Sequence, residues 1–193
     1  MDIKQAILDQ LTTAATDKIA AKNKLDTSQT NTAVDTALNA ILGGLQSNVG
    51  KKAGAEKLDS ALQKDHSGSV LDDIIGALGD GTTQKDGAKI LEHIFGGKTG
   101  KVTDTVAKKA GVDAGAAGGI LEALAPIVLG QLGKTKKSQG LDAGGVADTI
   151  LRQKLPKGGV MDGIAQLLDR DKDGQILDDL LDIGQGLLGS KKK

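Results

Sequence analysis

Residues 25–45 read Leu25-Asp26-Thr27-Ser28-Gln29-Thr30-Asn31-Thr32-Ala33-Val34-Asp35-Thr36-Ala37-Leu38-Asn39-Ala40-Ile41-Leu42-Gly43-Gly44-Leu45. Val34, Leu38, Ile41, Leu42 and Leu45 recur at intervals of three and four, which a 3.6-residue turn gathers onto one face. Asp26 stands where a carboxylate can accept the free amides of a first helical turn. Leu25, just before it, can fold back onto the following turn as an apolar staple. The stretch predicts a helix over 27–45 with a defined start.

The same device recurs at Val112-Asp113 and Leu141-Asp142, with Gly111 and Gly140 just upstream where they can end the preceding element. Ile3, Ile7, Leu11 and Ile19, with Ala15 between them, follow helical spacing and predict a first amphipathic helix. Further helical segments are expected at 54–63, 70–78, 87–95, 102–110, 114–132, 144–153, 160–168 and 176–188. No stretch alternates apolar and polar residues as a strand does. The fold class is all-α: many short helices in a compact bundle.

Composition narrows the function. Lys plus Arg and Asp plus Glu each number 25, so the chain lacks the basic excess that meets nucleic-acid phosphates. There is no Trp or Tyr and one Phe, Phe95, which removes the stacking platforms of single-strand binders. With no Cys, disulfides, thiol catalysis and Cys-based zinc sites are excluded. No uninterrupted apolar run approaches the roughly 20 residues of a bilayer span. The start Met1-Asp2-Ile3-Lys4-Gln5 lacks the basic and apolar regions of a secretory signal. The expectation is a cytoplasmic protein, with leaderless export left open because calcium is plentiful outside cells.

The chain carries an internal duplication. The first half runs from Leu25-Asp26 through Ile41-Leu42-Gly43-Gly44-Leu45 and Lys51-Lys52 to Asp65-His66-Ser67-Gly68-Ser69-Val70-Leu71-Asp72-Asp73. The second runs from Val112-Asp113 through Val128-Leu129-Gly130-Gln131-Leu132 and Lys136-Lys137 to Asp171-Lys172-Asp173-Gly174-Gln175-Ile176-Leu177-Asp178-Asp179. The last blocks align residue for residue, and the second half is longer by an insertion around 140–158. The organisation read from this is an N-terminal helix at 1–24, one helical half at 25–100 and another at 101–193. A weaker third echo begins at Asp86-Gly87.

Three pieces carry a resemblance: Asp65-His66-Ser67-Gly68-Ser69-Val70-Leu71-Asp72-Asp73, Gly87-Ala88-Lys89-Ile90-Leu91-Glu92-His93-Ile94-Phe95-Gly96, and Leu124-Ala125-Pro126-Ile127-Val128-Leu129-Gly130. Together they resemble the YidB-like bacterial proteins of unknown function, best over 38–132. The resemblance implies a bacterial, soluble, all-helical protein and brings no catalytic residues with it.

The chemistry concentrates in residues 169–179. Asp169, Asp171 and Asp173 fall at positions 1, 3 and 5 of an EF-hand-like loop, with Gly174 at position 6. Hard cations take several oxygens from such a loop, and glycine permits the sharp bend. Leu180 stands where the bidentate acid usually sits, so Asp178 takes over the closure, and Asp179 is a spare. The expected ligands for one Ca2+ ion are Asp169, Asp171, Asp173, the Gln175 carbonyl and Asp178. The plainer alternative is a solvated turn whose aspartates cap the next helix.

In the paralogous loop Gln63, Asp65 and Ser67 replace the three aspartates, so a simple turn is expected there. His66 and His93 have no nucleophile beside them in a catalytic arrangement and read as surface residues. The pairs Lys51-Lys52, Lys108-Lys109 and Lys136-Lys137 read as solvated. Residues 115–119, all Gly or Ala, open a small-sided helix that suits either tight packing within the chain or a homo-oligomer seam.

The leading expectation is a non-enzymatic helical scaffold or interaction protein, with calcium stapling the 169–179 corner and self-association or a protein partner as its mode of action. Nucleic acid is not an expected partner. One alternative is a hydrolase-type enzyme using the carboxylates of Asp72, Asp73, Asp178 and Asp179. Another is association with a membrane surface or the cell envelope through Leu187-Leu188-Gly189-Ser190-Lys191-Lys192-Lys193.

Overall fold

The structure is a computed structural model and describes residues 2–156. The expected ligands Asp169, Asp171, Asp173, Gln175 and Asp178, and the segments at 160–168 and 176–188, lie outside the described residues. Among the described residues every regular element is helical: α1 (Ile3–Gln10), α2 (Thr13–Asn23), α3 (Thr27–Val49), α4 (Lys52–Lys64), α5 (Ile74–Gly79), α6 (Gly81–Phe95), α7 (Thr99–Ala110), α8 (Ala114–Gln139) and α9 (Ala143–Leu151), with 3-10 turns at Ser69–Leu71 and Gly96–Lys98. The all-α expectation holds.

α8 is the axle of the bundle, and each of the other eight helices packs against it. Every residue from Leu124 to Gly133 is buried, so this segment has no solvent face. Fully buried aliphatics from three helices form the centre: Leu38, Ile41 and Leu42 of α3, Ile3 and Ile7 of α1, and Ile120, Leu121, Leu124 and Ile127 of α8. Each such side chain contributes about 1.5–3 kcal/mol through its removal from water.

Over its 26 residues, α8 is long and apolar enough by composition to cross a bilayer, although no uninterrupted apolar run in it reaches that length. Within the fold, its partner helices bury 72% of its apolar window.

The three apolar-Asp pairs all form corners of one kind. Asp26, Asp113 and Asp142 are N-caps, accepting from the amides of Gln29 (2.7 Å), Ala116 (2.9 Å) and Gly145 (2.8 Å). Just ahead, Lys24, Gly111 and Gly140 take left-handed backbone at φ +55, +66 and +63°. The amides of Leu25, Val112 and Leu141 then reach back to the carbonyls of Ala20, Ala107 and Lys136, each at 3.0 Å, as in a Schellman C-cap. Each corner thus ends one helix and starts the next within a few residues.

The first segment differs from expectation. The Ile3–Ile19 spacing runs unbroken in sequence, yet the chain bends at Leu11-Thr12 and makes two helices. Thr12 caps α2 through Ala15 N (3.4 Å), while Gln10 donates to the buried Gln131 of α8 at 2.7 Å. The four-residue spacing survives because both helices turn the same face to the core.

Of the duplication, both opening corners and both long helices are described, and α3 packs directly on α8. α9 falls in the stretch by which the second half is longer. The lysine pairs are not equivalent: Lys51 is the N-cap position of α4, whereas Lys136 and Lys137 lie in the last turn of α8. The third echo, from Asp86-Gly87, lies inside α6, in line with the helix expected over 87–95.

Candidate functional site

The described counterpart of the acidic loop is 63–73, between α4 and α5. Gly68 adopts φ +111°, a left-handed conformation that suits glycine, and turns the chain into the 3-10 turn Ser69–Leu71. Asp73 then caps α5 through Gly76 N at 2.7 Å, and Ile74 enters the core. The acids do not converge. Gln63 donates to Asp59 at 2.6 Å, while Asp65, Ser67 and Asp72 face solvent. Among the described residues no group of three or more His, Asp or Glu side chains is gathered as a metal shell would need. The loop is a turn with structural duties.

Two glycines of α8 receive this turn. A Cβ built on Gly133 would overlap the His66 carbonyl oxygen, and one on Gly130 would stand 2.5 Å from Val70 Cγ1. The loop therefore lies on the α8 backbone with Val70 over Gly130. His66 is half-buried rather than a plain surface residue, and burial pushes its pKa down against the opposing pull of Asp65 and Asp86. His93 is exposed, as expected.

Beside the loop an open cleft of about 240 Å³ lies between Gln10, Thr12 and Ala15 on one wall and Asp72, Ile74 and Ile75 on the other. Asp72 is the carboxylate here without a cap to hold, and Ile75 is 43% exposed. Lys18 and Lys22 of α2 hold α5 instead, donating to the carbonyls of Ile75 in its first turn (2.7 Å) and of Leu78 near its end (3.1 Å).

Two charged sites escaped the sequence reading. Lys136 is not a solvated lysine: its Nζ lies 2.5 Å from Asp59 Oδ1, and the two side chains are only 14% and 15% exposed. It also donates to the Leu141 carbonyl at 2.7 Å, and so ties α4 to the corner between α8 and α9. Glu122 of α8 is partly buried, and desolvation raises its pKa while nearby Lys22 works the other way. Neither pairing is local in sequence, so no periodicity could reveal it.

The small-sided opening of α8 is used within the chain. Ala116 and Ala117 are buried, a Cβ on Gly118 would lie 3.6 Å from Thr103 of α7, and one on Gly119 would lie 2.9 Å from Asn23 of α2.

Residues 5–135 match the sequence model of a family described as "Bacterial protein of unknown function (DUF937)". No curated protein and no solved structure matches the chain. The matched stretch includes the 63–73 turn and most of α8, and stops before the 169–179 loop. It covers more than half of the 193 residues, so the chain belongs to the DUF937 family of bacterial proteins of unknown function, of which YidB is a member.

Proposed function

We propose that this protein is a non-enzymatic helical scaffold that works through protein contacts, self-association included, and that residues 169–179 bind one Ca2+ ion. The observation that carries the reading is the geometry of the paralogous turn. There a left-handed glycine, Gly68, bends the chain, an apolar residue two positions on packs onto the fold, and an acid caps the next helix. In the second copy Asp169, Asp171 and Asp173 stand where the first has Gln63, Asp65 and Ser67. Three carboxylates around one bend repel one another until a cation joins them, and the Gln175 carbonyl and Asp178 complete an oxygen shell.

The scaffold reading draws on how the described acids are employed. Asp2, Asp26, Asp73, Asp80, Asp113 and Asp142 all cap helices. Asp73, a carboxylate the enzyme alternative would use, is among them.

Calorimetric titration of metal-stripped protein with Ca2+ and separately Mg2+, with size-exclusion elution in each state, tests the proposal. One calcium equivalent, lost in Asp171→Ala and kept in Asp65→Ala, is expected. No heat and no melting shift up to millimolar calcium would remove the ion from the reading, and elution as a monomer in both states would remove self-association.

A further inference from the structure

We propose that the open cleft between Gln10, Thr12 and Ala15 and the 71–75 stretch is a docking site for a lysine or arginine side chain of a protein partner. This rests on the protein-contact reading above and gives it a place on the molecule. Among the described residues, Ile75 is the one large apolar side chain left exposed, and it lines this cleft. Ala15, Leu71 and Ile74 extend the apolar wall. A lone exposed isoleucine is ordinary on a protein surface. What sets this one apart is the set of polar groups beside it.

Those groups are hydrogen-bond acceptors. Gln10 spends both amide hydrogens, on the Ala6 carbonyl (2.9 Å) and on Gln131 Oε1 (2.7 Å), which leaves its own Oε1 to offer. Asp73 takes the Gly76 amide with Oδ1 and keeps Oδ2. Asp72 is exposed, accepts no hydrogen bond and, like Asp73, has no ion-pair partner. Lys18 does not meet these acids. Its Nζ donates to the Ile75 carbonyl (2.7 Å) and lies beside Gly79, the last residue of α5.

Acceptors beside an apolar wall fit a donor carried on an alkyl stem. Ammonium and guanidinium groups bring several N–H donors and no acceptor. Their stems lie along apolar surface while the charged head stays wet. An anion would meet like charge. A divalent ion lacks its shell, because no three acids gather among the described residues. The cleft, about 240 Å³ and open to solvent, admits a side chain that arrives on a peptide backbone.

Amide chemical shifts of the isotope-labelled full chain provide the test. The probes are the peptide acetyl-Gly-Ala-Lys-Ala-Gly-amide, the same peptide with norleucine for lysine, and butylammonium chloride. The lysine peptide is expected to shift the amides of Thr12, Ala15, Asp72 and Ile75 with a Kd in the millimolar range, and the norleucine peptide to bind about fivefold more weakly. Asp72→Asn, which disturbs no cap, is expected to bring the two peptides together, and Asp65→Asn, outside the cleft, to leave them apart. Equal binding of the two peptides to the natural chain, or shifts that fall elsewhere, overturns the proposal. Tighter binding of butylammonium than of the lysine peptide makes the occupant a free amine and overturns the protein partner. Loss of self-association in Asp72→Asn seats a second copy there instead. The peptides bind or fail whether or not the chain self-associates. Monomeric elution therefore leaves the cleft standing, and self-association with an idle cleft removes this proposal alone.

Discussion

Gly87 of α6 rests against the main-chain carbonyl of Glu122 in α8, so closely that a Cβ would overlap the oxygen. The cause lies one turn further along α8. Pro126 has no amide hydrogen, so it cannot offer Glu122 the usual helical bond. That carbonyl, without its proline bond, faces a residue with no side chain, the close approach at which weak C–H···O contacts form.

Gly87→Ala is expected to destabilise the protein even though alanine favours helix. The propensity gain is about 1 kcal/mol, whereas forcing α6 off a backbone atom costs about 2–3 kcal/mol. Urea unfolding should show a net loss of roughly 1–2 kcal/mol. Gly81→Ala, with open space around its Cβ, serves as the comparison and should show no such loss.

Removing Lys136 leaves the Asp59 charge in a covered position with only the neutral Gln63 amide on its other oxygen. Lys136→Met is expected to cost about 2 kcal/mol, less than a fully buried pair because both groups keep some water. Asp59→Asn added to it should recover part of that loss, and a double-mutant cycle by chemical denaturation measures the coupling.

Two groups give pH dependence of opposite sign. His66 titrates below its ordinary 6.5 in the fold, so the unfolded chain binds the proton better. Its contribution is present above pH 6.5 and is lost as pH falls through the lowered folded value. Melting temperatures across that window should fall in the natural protein and flatten in His66→Gln. Glu122 titrates above its ordinary 4.5, so its contribution is present below 4.5 and lost as pH rises through the raised value. Glu122→Gln should therefore melt higher than the natural protein at pH 7 and gain little at pH 4.

Lys24 is the one described non-glycine residue with positive φ, and it occupies the corner position that Gly111 and Gly140 fill elsewhere. Lys24→Gly is expected to stabilise by about 0.5–1 kcal/mol, and Gly111→Ala or Gly140→Ala to destabilise by a similar amount. Thermal unfolding of the three variants decides it.

What the sequence disclosed was local. The Asp caps at 26, 113 and 142 depend on near neighbours in the chain, and all three form. The extent of α3 and α8 follows from their apolar periodicity, although both run beyond 45 and 132: the end of α8 is polar, and in α3 three polar residues stand between Leu45 and the buried Val49. The break at Leu11-Thr12 is hidden by spacing that continues across it. The helix expected from Gly87 forms, but why that position is glycine stays hidden in the sequence, because the reason is the carbonyl of Glu122 in another helix. Lys136 reads as solvated because its partner, Asp59, belongs to α4, far back along the chain. For the expected ion ligands, the turn at 63–73 informs the bend and not the oxygens, since only Asp65 remains of the three acids.

The central place of α8 bears on how the chain comes to be folded at all. A ribosome has made everything up to Asp113 before the first residue of α8 appears, and of the described helices that lean on it only α9 is still to come. Until the axle emerges, α3 has α2, α6 and α7 to pack on, but the faces that α1, α3 and α6 turn to α8 stay uncovered. Emerging chains in that condition expose sticky surface and recruit chaperones. A released chain ending at residue 110 should therefore be far more protease-sensitive than one that carries α8 and α9 in full, in which α3 and α8 should gain protection together.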